Sequence, residues 1–554
     1  MTTFASIRSH WQRLATGGLA LFSLLTWALA SPSASAPDDD LHIANIYCLH
    51  DSTTCRADDW LWPWGSTWWA ADPSDRIGPE YQGARKAYPD LWQYEQPRAL
   101  PCYVTNGDSW YNPDASLPAD CLTQEPSTNT PASLDDLGYY PSLYYRFASL
   151  FTGDTIRESV VHWRVLNVLM GVAIFATSLL LSAPTYRRTL SVATLVAYMP
   201  LGLFLIASTN PSAWLLIGTT AFLGPAVTVL RDRGSHGLLV ARVIFATACL
   251  LMILGGRSEG AIHAAVAIVV ALLLGLKAPR RVYCLLASAG ALLGFVALGL
   301  LSRGDATKAQ SVLALLQSGL NSGHLWDAVV STPSFFFGSD VRLGWLEVLP
   351  PSAAVIAARS AFWGAAAMGL AAMFWRKAIA LLVVAGVLLV VPAALVAGGS
   401  QVPPTRYFLP LVYMLAFVFL APDWGKWLPR WSNAQWIALG AALSVANSLS
   451  LLFLTVRYVS GIQPGTTNPL SLATAGTPDW WWGAWLSPFA NWLMGSVAFA
   501  IAVGLLFNLP NIREGAEYNV DNVSIAEPGP RDQASSNRPN DPQLQVPACR
   551  KIPS

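Results

Sequence analysis

Three acids and a histidine stand together in Pro37-Asp38-Asp39-Asp40-Leu41-His42. Adjacent carboxylates repel one another and coexist only with a cation, a proton or solvent nearby. The group directly follows an uncharged segment, residues 14–31, so it belongs at a membrane surface. There it suits a divalent cation such as Mg or Mn held by Asp38 and Asp39, or a general base working at headgroup level. The same residues equally suit a solvated acidic cluster capping a helix. A second set of charges, Arg164, Arg257, Glu259, Glu347 and Arg406, stands isolated near the ends of apolar runs. Charge at that depth is costly and needs a partner or a task. Arginine's planar fork grips phosphate oxygens, so these residues suit a lipid-linked phosphate. A structural ion pair, such as Arg257 with Glu259, or snorkelling to the interface is the alternative. Two tryptophan groups, Trp60 to Trp69 and Trp480 to Trp485, suit either stacking on sugar rings or anchoring at the membrane interface. His263 falls inside an apolar run and is expected to hydrogen-bond a neighbouring helix. No Walker loop, dinucleotide fingerprint, zinc spacing or nucleophile elbow is present, which leaves an ATP-driven pump without support.

The elements that must carry these residues are transmembrane helices. The chain of 554 residues is 53% hydrophobic and only 12% charged, and its mean hydropathy is +0.40. A soluble protein carries about twice that charge to cover its surface. Formal net charge is +1, so nothing calls for nucleic acid. After the segment 14–31, apolar runs follow at about 162–182, 190–208, 212–230, 238–256, 260–276, 282–301, 352–375, 378–397, 405–420, 435–456 and 486–508. Each approaches the ~20 residues that span a bilayer, which predicts an all-α polytopic bundle of about twelve transmembrane helices. Arg187/Arg188, Arg231/Arg233, Lys277/Arg280/Arg281, Arg376/Lys377 and Lys426/Arg430 fall in alternate loops. That alternation puts residues 1–13 and the C-terminus in the cytoplasm. The first segment is read as a retained helix, although Ala34-Ser35-Ala36 also resembles a signal cleavage site. The membrane domain spans 162–508, with the bilayer interior expected to be apolar and the polar groups gathered at the outer surface.

Residues 37–160 are too long for a connector and predict a folded extracytoplasmic loop domain. Its four cysteines fit two disulfides, of which Cys48–Cys55 with Cys102–Cys121 is the simplest of three pairings. A surface helix is expected at Ala309–Leu320, and residues 513–554 are too polar to bury a core and are expected to be disordered in the cytoplasm.

Six motifs in order resemble a bacterial membrane-protein family catalogued as domain of unknown function 2142. Pro37-Asp38-Asp39-Asp40-Leu41-His42 resembles its Pro-Asp-Glu-Pro-Ala-His, and Tyr140-Pro141-Ser142-Leu143-Tyr144-Tyr145 its His-Pro-Pro-Leu-Tyr-Tyr. Arg164 stands where the family's second helix begins with Arg. Met199-Pro200 with Ser208-Thr209-Asn210-Pro211 resembles its third helix and Asn-Pro exit. Gly344-Trp345-Leu346-Glu347 is similar to its Gly-Trp-Leu-Asp, and Arg406-Tyr407-Phe408-Leu409-Pro410 to its Gly-Arg-Tyr-Phe-Leu-Pro. Asp39 replaces a Glu, Asp40 a Pro, and Tyr140 a His. That family in turn resembles the C-type integral-membrane glycosyltransferases. The resemblance implies a glycosyltransferase-like bundle at the bacterial plasma membrane, with its site facing away from the cytoplasm. It implies transfer of a hexosyl or pentosyl group from a polyprenyl-phosphate-linked sugar donor to an envelope glycan or protein acceptor. Asp38 and Asp39 would be catalytic, and His42, Tyr140, Arg164, Asn210, Arg257, Glu259, Glu347, Arg406 and Tyr407 would bind substrate. The alternatives are a transporter or flippase of lipid-linked saccharides, or an envelope assembly protein.

Overall fold

The computed structural model describes residues 2–33, 35–39, 42–43, 45–46, 141–154, 156–231, 235–257, 259–276, 314, 316–337, 341–399, 404–423, 431–461, 486–509 and 512. Tyr140, the four loop cysteines, both tryptophan groups, the run 282–301 and the tail 513–554 lie outside the described residues.

The described residues are helical, with one isolated antiparallel bridge, Leu343 to Val348, and no strand. The principal helices are α1 (Thr2–Leu29), α2 (Ser142–Ser149), α3 (Ile156–Leu181), α4 (Pro184–Tyr198), α5 (Leu201–Ile206), α6 (Ser212–Arg231), α7 (His236–Gly256) and α8 (Gly260–Gly275). They continue with α9 (Leu325–Phe337), α10 (Ser352–Leu370), α11 (Trp375–Ala397), α12 (Leu409–Leu420), α13 (Asn433–Val459) and α14 (Pro488–Phe507). Among the described residues, seven helices are long and apolar enough to cross a membrane: α3, α6, α7, α10, α11, α13 and α14. A helix suits that solvent because it satisfies its own backbone donors and acceptors.

The lengths of the apolar runs predicted more uniform spans than are present. The run 190–208 is two helices, because Pro200 offers no N–H and disfavours helical geometry at Met199. The run 405–420 is a 3₁₀ turn, Thr405–Tyr407, followed by the twelve-residue α12. The run 260–276 gives the sixteen-residue α8. Helix α9 occupies part of the long segment before residue 351 and runs through Phe337, beyond the surface helix expected at Ala309–Leu320.

Packing follows a closed circuit. Helix α1 packs on α3, α3 on α6, α6 on α8, α8 on α11, α11 on α12, α12 on α10, α10 on α13, α13 on α14, and α14 back on α1. Helix α4 packs on α12, α10 and α6, and nearly every residue of α6 and α12 is buried. Helix α7, packed on α6, leaves most of its surface outward, as lipid-facing apolar residues require. Helix α1 is bound into the bundle by polar links as well. Gln12 Nε2 donates to Leu505 O, Trp27 Nε1 to Asn447 Oδ1 and Asn491 Nδ2 to Thr26 O, at 2.9–3.0 Å. Gly495 of α14 lies so close to Thr26 that a Cβ would collide with Oγ1, the close approach that small residues permit between membrane helices.

The interior is less purely apolar than its composition predicted. Tyr198 donates to Leu216 O, Thr220 to the Tyr198 hydroxyl and Tyr413 to Thr220 O, at 2.9–3.1 Å, linking α4, α6 and α12. Cations that the sequence placed in loops, with Arg242 of α7, lie within helices α6, α7 and α11 and cap helix ends on one side of the bundle. Arg242 donates to Leu181 O, Arg231 to Leu274 O, Arg376 to Leu276 O and Lys377 to Gly369 O, at 2.6–3.2 Å. Each thereby places positive charge at the negative end of a helix dipole.

Candidate functional site

The opposite ends of the helices bring together residues far apart in sequence. The chain leaves α1 at Leu29, and its last carbonyls need donors. Arg164, on α3 and 1% exposed, supplies them: Nη1 donates to Ala28 O at 2.9 Å and Ser31 O at 2.7 Å, Nη2 to Pro32 O at 2.6 Å and Ser35 Oγ at 3.1 Å. This guanidinium holds the loop that carries the acids.

The two acids then diverge. Asp39 is 0% exposed. Its Oδ2 accepts from Ala36 N at 3.0 Å and Thr209 Oγ1 at 3.3 Å, with Arg164 Nη2 at 3.9 Å. Asp38 has φ +61°, a left-handed conformation that Asp tolerates better than most residues. Its side chain is 32% exposed, and Oδ2 accepts from Arg406 Nη2 at 2.7 Å. Neighbours in sequence, Asp39 looks into the protein and Asp38 meets a cation at its surface.

Asn210 completes the mounting. Its Nδ2 donates to Pro37 O at 2.7 Å while Oδ1 accepts from Ser212 N at 2.9 Å. One side chain thus links the acidic loop to the start of α6, where an amide oxygen can satisfy an orphan N–H. His42 is buried, with Nδ1 2.8 Å from the Tyr145 hydroxyl. Burial pushes its pKa down to about 3, with Asp38 opposing and Arg257 and Arg406 reinforcing that shift. Tyr144 donates to Thr209 O, and Asn167 Nδ2 donates to Ser208 O at 2.8 Å, so α2 and α3 brace the α5–α6 connection that carries Thr209 and Asn210.

The cationic side is built around Tyr407. The Arg406 guanidinium lies 4.9 Å from its ring centroid and Nη2 is 3.1 Å from its hydroxyl. The Arg257 guanidinium lies 4.6 Å from the same centroid. Cation–π contact lets two like charges share one site. Arg257, buried at the α7–α8 junction, also pairs with Glu259 and donates to Ser212 Oγ at 3.3 Å. Burial pushes the Glu259 carboxyl up, but Arg257 and further donors outweigh it and leave the pKa lowered. The pairing of Arg257 with Glu259, one of the two outcomes the sequence left open, is therefore present beside the Tyr407 contact.

Glu347 stands apart from this pair of arginines. It lies in the turn closed by the Leu343 to Val348 bridge, where Gly344 at φ +62° leaves no room for a Cβ beside Tyr458 and Glu347. Its Oε1 accepts from the Tyr458 hydroxyl at 3.0 Å and faces Arg457 Nε at 3.5 Å. The Tyr458 hydroxyl also lies 3.3 Å from Ser35 O. Burial outweighs Arg457 and raises the Glu347 pKa. Sequence reasoning missed Arg457, Tyr458, Thr209 and Tyr145 as partners, because only the folded chain puts them beside the loop.

Among the described residues, no three His, Cys, Asp or Glu side chains converge as metal ligands. The model of a family described as predicted membrane protein (DUF2142) matches residues 21–415. No curated protein and no solved structure gives a significant match.

Proposed function

The chain belongs to the DUF2142 family of predicted membrane proteins, and from that premise we propose that it is a membrane glycosyltransferase using a polyprenyl-phosphate-linked sugar on the extracytoplasmic side. The observation that carries this reading is the cluster of partly exposed Asp38 on Arg406, with Arg406 and Arg257 both against Tyr407. Asp38 is the base: it takes the proton of an acceptor hydroxyl as that oxygen bonds to the sugar's anomeric carbon. The bond from that carbon to the phosphate oxygen breaks, and its electron pair leaves with the phosphate. Arg257 and Arg406 stabilise the negative charge gathered there. Asp39 acts through the loop, holding Asp38 in place. A divalent cation shared by Asp38 and Asp39 would have to take Asp38 from Arg406 and Asp39 from its Ala36 and Thr209 donors, so no step is routed through one. In this reading the bundle has about twelve spans, counting α1, the divided and short helices and the run 282–301, with both termini cytoplasmic.

A transporter or flippase is the second reading, favoured by one observation. The division of one apolar run into α4 and α5 is the kind of interrupted helix that transporters place at their binding sites. Purified protein in lipid nanodiscs, given radiolabelled polyprenyl-phosphate sugars, an envelope acceptor fraction and Mg or Mn in parallel, separates the two. Labelled acceptor supports the enzyme. Saturable donor binding without product, joined by donor movement across proteoliposomes, supports the transporter.

A further inference from the structure

Glu347 takes no part in the cluster around Tyr407, yet it is closely held. Its turn contains two left-handed residues, Gly344 at φ +62° and Leu346 at φ +69°. That conformation is uncommon for a leucine and persists only where the surroundings enforce it. Arg342, in the same turn, donates to Leu346 O at 3.4 Å. The turn folds the Glu347 carboxylate back over Gly344, beside the Tyr458 hydroxyl. The Glu347 side chain is 2% exposed, and Tyr458, Arg457 and Ser35 are buried with it. Desolvation and a neighbouring cation act on such a carboxyl in opposite directions. Here burial raises the pKa, and Arg457 and the N–H groups of Glu347 and Trp345 lower it without cancelling the rise.

The Tyr458 hydroxyl stands between two acceptors, Glu347 Oε1 at 3.0 Å and Ser35 O at 3.3 Å. A phenol carries one hydrogen, so it serves one of them at a time. Ser35 belongs to the loop that carries Asp38 and Asp39; its Oγ donates to Ser31 Oγ at 2.6 Å and accepts from Arg164 at 3.1 Å. We propose that Glu347 is a positioning residue for the acidic loop, acting through Tyr458 as a proton-operated latch. Ionised, Glu347 accepts the Tyr458 hydrogen and faces Arg457, and Ser35 O loses that donor. When Glu347 takes a proton from solvent, its new O–H donates to the Tyr458 oxygen, and the Tyr458 hydrogen turns to Ser35 O. The loop is fastened in the protonated state and released in the ionised one. The charged and titratable groups facing Glu347 are Arg457 and Tyr458 of α13, with Arg342 in its own turn. The latch belongs to the loop itself and operates whether the site transfers sugar or transports it.

The test is amide hydrogen exchange over residues 31–39 of the full chain in phosphatidylcholine nanodiscs, as a function of pH and corrected for the intrinsic pH dependence of exchange. The range starts below 4.5, the ordinary value for a glutamate, and runs upward. Protection of the loop in wild type is expected to be greatest at the acid end and to fall about fivefold as pH rises through the Glu347 pKa. Fivefold corresponds to ~1 kcal/mol, the size of one net hydrogen bond. Glu347→Gln, whose amide donates to Tyr458 as the protonated acid does, is expected to keep the high protection across the range. Tyr458→Phe, which removes the hydroxyl, is expected to keep the low protection across it. Exchange in α6, measured alongside, separates local release of the loop from global opening. A Glu347 that merely supports the fold would instead lower protection in both variants. That result overturns the proposal, as does a wild-type profile that is flat with pH. If Glu347→Gln fails to fold, Tyr458→Phe decides: a pH dependence like that of wild type in this variant overturns the latch, and its loss supports it.

Discussion

At the residue scale, the informative contrast is between two adjacent aspartates. Asp39 is enclosed by Ala36 N, Thr209 and Arg164, whereas Asp38 faces Arg406 at the surface. Removing one member of a buried charged pair costs ~3–5 kcal/mol. Asp39→Asn and Arg164→Met are therefore expected to lower the thermal unfolding midpoint in detergent by several degrees, and Asp38→Asn to change it little. Equal midpoints for the three would contradict the division of roles. His42 gives a pH signature. Its folded pKa of about 3 lies below the ordinary 6.5, so the unfolded chain binds the extra proton between those values. Stability is expected to fall as pH drops from 6.5 towards 3, and His42→Gln to flatten that part of the profile measured by thermal unfolding. The acidic motif and the arginines were legible in the sequence, since unusual charge beside apolar runs stands out. The separation of Asp38 from Asp39 was not, because it depends on a left-handed residue and on side chains from elsewhere in the chain, Arg164 of α3 and Thr209 just before α6.

At the scale of elements, length and hydropathy located most helices, but their ends were set by local chemistry. Helix α13 begins with the reciprocal Ser432–Gln435 capping box, α4 and α14 carry Pro in their first turn, and Pro200 divides what hydropathy joined. Hydropathy averages over a window and cannot register one missing N–H. Nor does it reveal that α1 is mounted against α14 at Gly495 and Thr26. Gly495→Val inserts side-chain volume where no Cβ fits, and overpacking costs ~1–3 kcal/mol. The variant is expected to lower the unfolding midpoint, whereas Gly504→Val, on the same helix with open space around it, is expected to leave it nearly unchanged. The reverse order would contradict the mounting of α1.

At the scale of the whole molecule, two sets of cations occupy opposite helix ends. Arg231, Arg242, Arg376 and Lys377 cap carbonyls at one, while Arg257 and Arg406 meet Tyr407 and the acidic loop at the other. In the orientation that the positive loops lead us to propose, the first end is cytoplasmic. In intact cells, an impermeant thiol reagent is expected to label Ser460→Cys and to spare Ala371→Cys, each compared with the wild-type background. Labelling with the opposite preference would invert the topology and move the candidate site to the cytoplasm.

The central claim is that Asp38 moves a proton during sugar transfer. It is tested most directly by measuring transfer and donor binding together, in the same nanodisc samples, for wild type and Asp38→Asn. General-base catalysis contributes ~10²–10⁴ in rate, so the variant is expected to transfer at least a hundredfold more slowly while binding donor within about twofold of wild type. Transfer by Asp38→Asn at the wild-type rate would contradict the account.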